Sequence, residues 1–273
     1  MKLLKDHVLL FDAQCPLCTA YSNTFVKSGM LEKTGREAYQ EMNAETCIYI
    51  DKDKARNEIA LVNKSNGEVY YGLDSIFKII ANSYPIFKPL FQFSPFYWIM
   101  KKLYAFISYN RKVIVPGKKN ADTCIPDVNI KYRIAYLLFT WIISSFILTT
   151  YSAYLTGLIP ASKFHREFII CGGQIIFQAL VIYFIAKEKI LDYLGNMMTI
   201  SFAASLLLLV FLGVGKLFEI AGPLMYAGFF MMVVGAMFLE HLRRMTLLGI
   251  GPAPSVTWVI YRILVLTIIL TGL

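Results

Sequence analysis

The sequence predicts an α/β domain at the amino-terminal end followed by an all-α bundle of about five transmembrane helices. Three observations carry that prediction. Apolar residues make up 57% of the 273 residues and charged residues only 16%, with a mean hydropathy of +0.55, which places the chain among membrane proteins. The charge is also uneven. It concentrates between Met1 and Pro126 and thins out after Ile134, so residues 1–126 and 131–273 are expected to form a soluble and a lipid-embedded domain. The first part alternates strand and helix patterns, whereas the second consists of apolar runs near the ~20 residues needed to cross a hydrocarbon core. The net charge of +9 belongs to no basic block. Several cations flank hydrophobic ends, where anionic headgroups would meet them, so the expected partner is a lipid bilayer and not nucleic acid.

The opening "MKLLKDHVLLFDAQCP" sets lysines before an apolar run, as a secretory signal does. Its core, Val8 to Phe11, is much shorter than the ~7–15 residues of a signal, and no small-residue cleavage site follows. The first domain is therefore expected to stay on its own side of the bilayer. Val8 to Phe11 reads as a short buried strand. Cys15-Pro-Leu-Cys then enters a helix through about Val26, because proline suits the first helical position. Arg36 to Met42 reads as either a strand or a helix. Glu58 to Val62 and Val69 to Tyr71 flank "NKSNG", whose Asn66-Gly67 is a turn signal, and predict a hairpin. Asp74 is expected to cap a helix over Ser75 to Asn82. Pro85, Pro89 and Pro95 punctuate an aromatic segment before a helix from about Pro95 to Ser108. Strand, helix, hairpin and helix in this order predict a small α/β sandwich.

The expected spans are Ile134 to Leu158, Glu167 to Ala186, Gly195 to Gly215, Leu217 to Leu239 and Val256 to Leu273. Five crossings put the termini on opposite sides. Lys118, Lys119, Lys131, Arg133, Lys187, Lys189, Arg243 and Arg244 fall on the amino-terminal side, against Lys163, Arg166 and Lys216 on the other. The excess predicts a cytoplasmic amino-terminal domain in a cytoplasmic (inner) membrane, with the carboxyl terminus opposite.

The chemistry-bearing motif is Cys15-Pro-Leu-Cys18 at a helix mouth. Unpaired backbone N–H groups and the helix dipole stabilise a thiolate at Cys15, bringing it into the range where it attacks disulfides. Cys18, one turn on, reaches the same sulfur and would resolve the mixed disulfide. A zinc site built with Cys47 and Cys124 is the competing use of the pair, although the two extra cysteines form no second C-x-x-C. Asp12, three residues before Cys15, is either a proton acceptor and orienter for a thiol or a turn-forming carboxylate. As an anion it would raise a neighbouring thiol's pKa.

"VLLFDAQCPLC", "EVYYGLDSI", "LYAFISYNRK" and "DTCIP" together resemble the DCC family of thiol-disulfide oxidoreductases, over roughly Val8 to Pro126 and none of the membrane part. The resemblance implies a thioredoxin-like fold with Asp12, Cys15 and Cys18 at the active edge. It also carries over Asn110, Arg111 and Cys124 as accessory positions. Ala13 departs from the family's glycine after the aspartate, so the turn must form without an easy positive φ. No proline occurs between Cys47 and Tyr84, where thioredoxins place one facing the dithiol, so substrate docking is expected to differ. Arg111 either fixes an anion or lowers a cysteine pKa, or pairs with a carboxylate between helix and sheet.

In the spans, Gln174 and Gln178 read as interhelical glue, Glu219 as an interfacial partner of Lys216, and Arg262 as a partner of Glu240. His165 and His241 read as solvated at span ends. Cys171 alone cannot serve as a two-electron relay. The expected function is a membrane-anchored thiol-disulfide oxidoreductase with a cytoplasm-facing dithiol. Its expected partners are a disulfide-containing protein or small thiol and a cytosolic reductant, and a redox-active disulfide serves in place of a cofactor. The alternative is a membrane assembly platform whose thioredoxin-like domain docks a partner without redox turnover.

Overall fold

The computed structural model describes residues 2–42, 50–117, 128–162, 165–220 and 222–271. They form two compact units, Met1–Tyr132 and Arg133–Leu273. The first contains β1 (His7–Phe11), α1 (Pro16–Lys27), β2 (Arg36–Ala38), a 3-10 turn (Tyr39–Glu41), α2 (Lys52–Asn57), β3 (Ala60–Asn63), β4 (Val69–Tyr71), α3 (Leu73–Ser83), α4 (Lys88–Gln92) and α5 (Ser94–Ile114). The segment open to two readings is thus a short strand that ends in a 3-10 turn.

The strands lie in the order β2-β1-β3-β4. β1 runs parallel to β2, with Leu9 opposite Arg36 and Phe11 opposite Ala38, which requires a crossover that α1 provides. β3 is antiparallel to both neighbours and forms the expected hairpin with β4. Because β1 is central, all five of its residues are buried, and the two-residue period of a strand sorts them between two cores. Leu9 packs with Leu31, Leu61 and Ile79 and with Tyr21 and Phe25 of α1. Val8 and Leu10 pack on the other face with Ile50, Ala60 and Val62. The result is a small mixed sheet with helices on both faces, the thioredoxin-like layout, and the carboxyl end of β1 delivers the chain to the dithiol.

Two expectations in this unit need correction. α3 begins at Leu73 with Gly72 at the N-cap, φ 57°, and Asp74 sits inside the first turn. Its carboxylate accepts a hydrogen bond from the Tyr97 hydroxyl at 3.0 Å and caps nothing. The positive φ that lets the chain turn into α3 suits glycine, which moves the start two residues earlier. α5 continues six residues past Ser108 to Ile114, since no helix breaker intervenes before Pro116. Arg111 is therefore a helical residue with a fixed direction.

The second unit has four helical segments long and apolar enough to cross a membrane: Ile130–Leu155, Arg166–Leu217, Pro223–Leu248 and Ala253–Thr271. The second, 52 residues long, is broken at Ala186, where φ −159° and ψ 70° leave the helical region. Among the described residues this makes five helices: α6 (Ile130–Ser152), α7 (Arg166–Ala186), α8 (Ile190–Leu217), α9 (Pro223–Leu248) and α10 (Ala253–Thr271). The chain folds back at the break, because the Tyr193 hydroxyl donates to Gln178 Oε1 at 2.8 Å. On a straight helix those residues would stand ~22 Å apart. About five spans is thus the right number, with shifted edges. α9 starts at Pro223 and not at Leu217, because α8 runs on to Leu217 and the positive φ of Glu219 (51°) and of Gly222 (96°) is not helical.

A buried polar network ties these helices together. Gln178 Oε1 also accepts from Thr257 Oγ1 at 3.3 Å, so Gln178 bridges α7, α8 and α10 as glue. His241 is fully buried and not solvated, placed between the Tyr193 hydroxyl at 3.2 Å and Ser255 Oγ at 2.9 Å. Arg262 does not pair with Glu240. It stacks over the Trp258 ring at 4.1 Å, while Glu240 holds Arg243 at 2.6 Å and Arg244 at 2.7 Å. Those arginines lie one turn away on the same helix and reach the carboxylate first.

Leu61→Ala opens a cavity at the centre of the first core, where Leu61 is 0% exposed. It is expected to cost ~2–4 kcal/mol, read in the full-length protein as lost hydrogen-exchange protection of β1 and β3 with α6–α10 unaffected.

Candidate active site

Beyond Phe11 the chain leaves the sheet through Asp12-Ala13-Gln14 and enters α1 at Cys15. Cys15 is the N-cap, in extended conformation, with Pro16 at the first helical position. A cap residue's side chain faces the free N–H groups of the first turn. Here that side chain is a sulfur: Cys15 Sγ accepts from the Cys18 N–H at 3.3 Å. The Cys18 thiol donates to the same atom, with the two sulfurs 2.7 Å apart. They need to close by only ~0.7 Å to reach a disulfide bond length. Both residues are buried and pack against Phe11, Leu17, Tyr21 and Ala38.

This arrangement makes the two thiols unlike. The hydrogen bond from the Cys18 thiol brings Cys15 down to about 7 against the upward push of burial, with further help from the Cys18 N–H and the Arg111 charge and slight opposition from Asp12. Cys18 is raised above its ordinary value, first because its proton is committed to Cys15 and then by burial. At neutral pH the thiolate form is therefore far more accessible to Cys15 than to an ordinary thiol, whose pKa is ~8.5. The acceptor sulfur is the one that favours the thiolate form, and the donor is the one that keeps its proton.

Asp12 is first of all a loop former. Its Oδ1 accepts from the Gln14 N–H at 3.0 Å and from Gln40 Nε2 at 2.8 Å, and its backbone carbonyl accepts from the Cys15 N–H at 3.1 Å. Its carboxylate makes no hydrogen bond to either sulfur among the described residues. The other carboxylate oxygen lies 3.9 Å from an Arg111 nitrogen. Arg111, buried near the carboxyl end of α5, stands beside this carboxylate, and its charge favours the anionic form of either sulfur. Burial pulls its own pKa down, but Cys18, Cys15 and Asp12 outweigh that and raise it. Asn110, the next helical position, turns elsewhere. Its amide donates to the carbonyls of Phe106 at 2.8 Å and Tyr132 at 3.1 Å. Cys47 and Cys124, the residues a four-cysteine zinc site requires, lie outside the described residues.

Three residues at the site escaped sequence reasoning. Tyr21 follows Cys18 by one helical turn and packs against it, and it lowers that thiol, the last of several influences on it. The spacing 15, 18, 21 on one helix face was the available signal. Gln40 grips the loop from the 3-10 turn, donating to Asp12 and accepting from the Ala13 N–H at 3.2 Å. That clasp holds the turn without a positive φ at Ala13, and a lone glutamine after a short strand gave no warning of it. Gly117 lies against the same loop, so close that a Cβ there would collide with the Gln14 carbonyl oxygen.

Replacing Arg111 by Met keeps the apolar stem and removes the charge. The pH midpoint of Cys15 alkylation, followed by peptide mass spectrometry on the full chain, is expected to rise by about one unit. Tyr21→Phe should leave the Cys15 midpoint nearly in place.

Residues 9–115 match the family described as DCC1-like thiol-disulfide oxidoreductase. No curated protein and no solved structure matches the chain. The match spans β1 through α5, so it includes Asp12, both cysteines and Arg111, and it ends ahead of Cys124. Residues 9–115 are thus similar to the DCC1-like thiol-disulfide oxidoreductases, and helices able to cross a membrane follow.

Proposed function

We propose that the protein is a membrane-anchored thiol-disulfide oxidoreductase whose dithiol works at the cytoplasmic face. The observation that carries this reading is the double donation from Cys18 to the Cys15 sulfur, 3.3 Å from N–H and 2.7 Å from S–H, beside the Arg111 guanidinium. A thiol held in this way is a nucleophile at neutral pH.

In this mechanism the Cys15 thiolate attacks one sulfur of a substrate disulfide. A new S–S bond forms to Cys15 and the substrate's other sulfur leaves as thiolate. Cys15 no longer carries charge, so the Cys18 thiol loses its reason to keep the proton and passes it to the departing thiolate. Cys18 sulfur then attacks Cys15, closing the Cys15–Cys18 disulfide and releasing the second substrate thiol. A dithiol or glutathione-type reductant of the cytosol supplies the two electrons that reopen the pair. Asp12 and Gln40 act as positioning residues, fixing the loop that sets the Cys15 sulfur at the helix mouth.

The cytoplasmic placement rests on the distribution of basic residues around the helices. Lys131 and Arg133 at the start of α6, Lys187 and Lys189 between α7 and α8, and Arg243 and Arg244 near the end of α9 share one side. Arg166 and Lys216 stand on the other.

Cys18→Ser is expected to trap mixed disulfides through Cys15 in cells, and the double variant with Cys15→Ser to trap none. Wild-type Cys15 should alkylate with a midpoint near pH 7, its rate falling below that pH as the thiolate is protonated. Without either result the assembly-platform reading takes over. Reporter fusions at the carboxyl terminus should be active only on the side away from the cytosol.

A further inference from the structure

The stretch from Tyr84 to Ile114 differs chemically from the rest of the soluble unit. It is dense in Phe, Tyr and Trp, carries Lys88, Lys101, Lys102, Arg111 and Lys112, and contains no Asp or Glu. The inward face of α5 holds Ser108, Asn110, Arg111 and Val113. Its outward face is apolar: Trp98 is 63% exposed, and Ile99, Leu103 and Ile107 form a stripe at four-residue spacing. Ile86, 81% exposed, and Phe93, 59% exposed, extend the patch ahead of α5. Beside it opens a cleft of about 1010 Å³ into which Lys78, Lys88, Lys101, Lys102, Phe91 and Trp98 face. Its acids, Glu58 and Asp74, are fewer than its lysines.

An apolar stripe bordered by lysines, with tryptophan at the edge, is the composition of a helix that lies in a bilayer interface. A soluble unit with such a patch free in water would tend to self-associate. This chain also brings a bilayer with it. The first membrane-capable helix starts at Ile130, shortly after α5 ends at Ile114, so any surface with membrane affinity meets lipid at high effective concentration.

We propose that the α5 face and its neighbouring cleft seat on the headgroup layer of an acidic bilayer. Trp98, Ile99, Leu103 and Ile107 enter the interface, while Lys88, Lys101 and Lys102 meet lipid phosphates. Each lysine near such a surface favours the seated state about fivefold, with salt screening the effect. This inference is independent of the redox reading, since it involves neither cysteine.

The test places full-length protein in nanodiscs of phosphatidylcholine alone or mixed with phosphatidylserine, with and without brominated acyl chains. The emission due to Trp98 is the difference between wild type and Trp98→Phe. In acidic discs it is expected to be blue-shifted and quenched by bromine. The triple variant Lys88→Gln, Lys101→Gln, Lys102→Gln should lower the seated-to-free ratio roughly a hundredfold and lose the quenching. Emission of a water-exposed indole without quenching would overturn the proposal. So would a blue shift that bromine leaves untouched, which would mark a second copy of the chain as the occupant. Equal quenching in neutral discs that ignores the lysine variant would reduce the contact to an apolar one and overturn the acidic-lipid requirement.

Discussion

The chemistry of the amino-terminal unit depends on one atom accepting two hydrogen bonds from the same residue. Cys15 caps α1 with its sulfur, and Cys18 returns both its backbone N–H and its thiol to that sulfur. A helix first turn always has spare N–H groups, so the backbone donor is a property of the position. The thiol donor is a property of the C-x-x-C spacing. Together they separate two chemically identical side chains into an acid and its partner, lowering one and raising the other. Proline at the next position strengthens the effect by starting the helix there with no N–H of its own to satisfy.

Around this pair the fold spends stability on charge. Burying a guanidinium is unfavourable unless anions answer it, and Arg111 is buried with Asp12 and the dithiol as its answering groups. The two anions compete for one cation. The loop that carries Asp12 also carries the Cys15 backbone, so one short stretch of chain presents both groups to Arg111. Gln40 fixes that loop, because it holds Asp12 and Ala13 from the 3-10 turn that follows β2.

Local chemistry was legible in the sequence, and remote juxtaposition was not. The Asn66-Gly67 hairpin, the β1 strand and the Cys15 helix mouth each follow from a few adjacent residues, and all three stand where the pattern put them. The start of α3 was missed because an aspartate is a better-known cap than a glycine with positive φ. Arg111 was recognisable as a candidate, but its direction depended on α5 running past Ser108. Gln40 and Tyr21 meet the site through tertiary packing. In the second unit the apolar runs announced the helices, but hydropathy does not see the positive φ of Glu219 and Gly222 between α8 and α9. Nor does it see that His241 finds its partners on α8 and α10. Polar groups in a bundle are placed by which helices touch, and that is decided by the whole fold.

The backbone at Gly117 has no room for even a methyl group before it strikes the Gln14 carbonyl. Gln14 is one peptide unit from the thiolate. The stretch just after α5 therefore lies over the Cys15 loop like a feeler gauge in a narrow gap, and any residue larger than glycine at position 117 would have to displace the Gln14 carbonyl beside the sulfur-bearing residue.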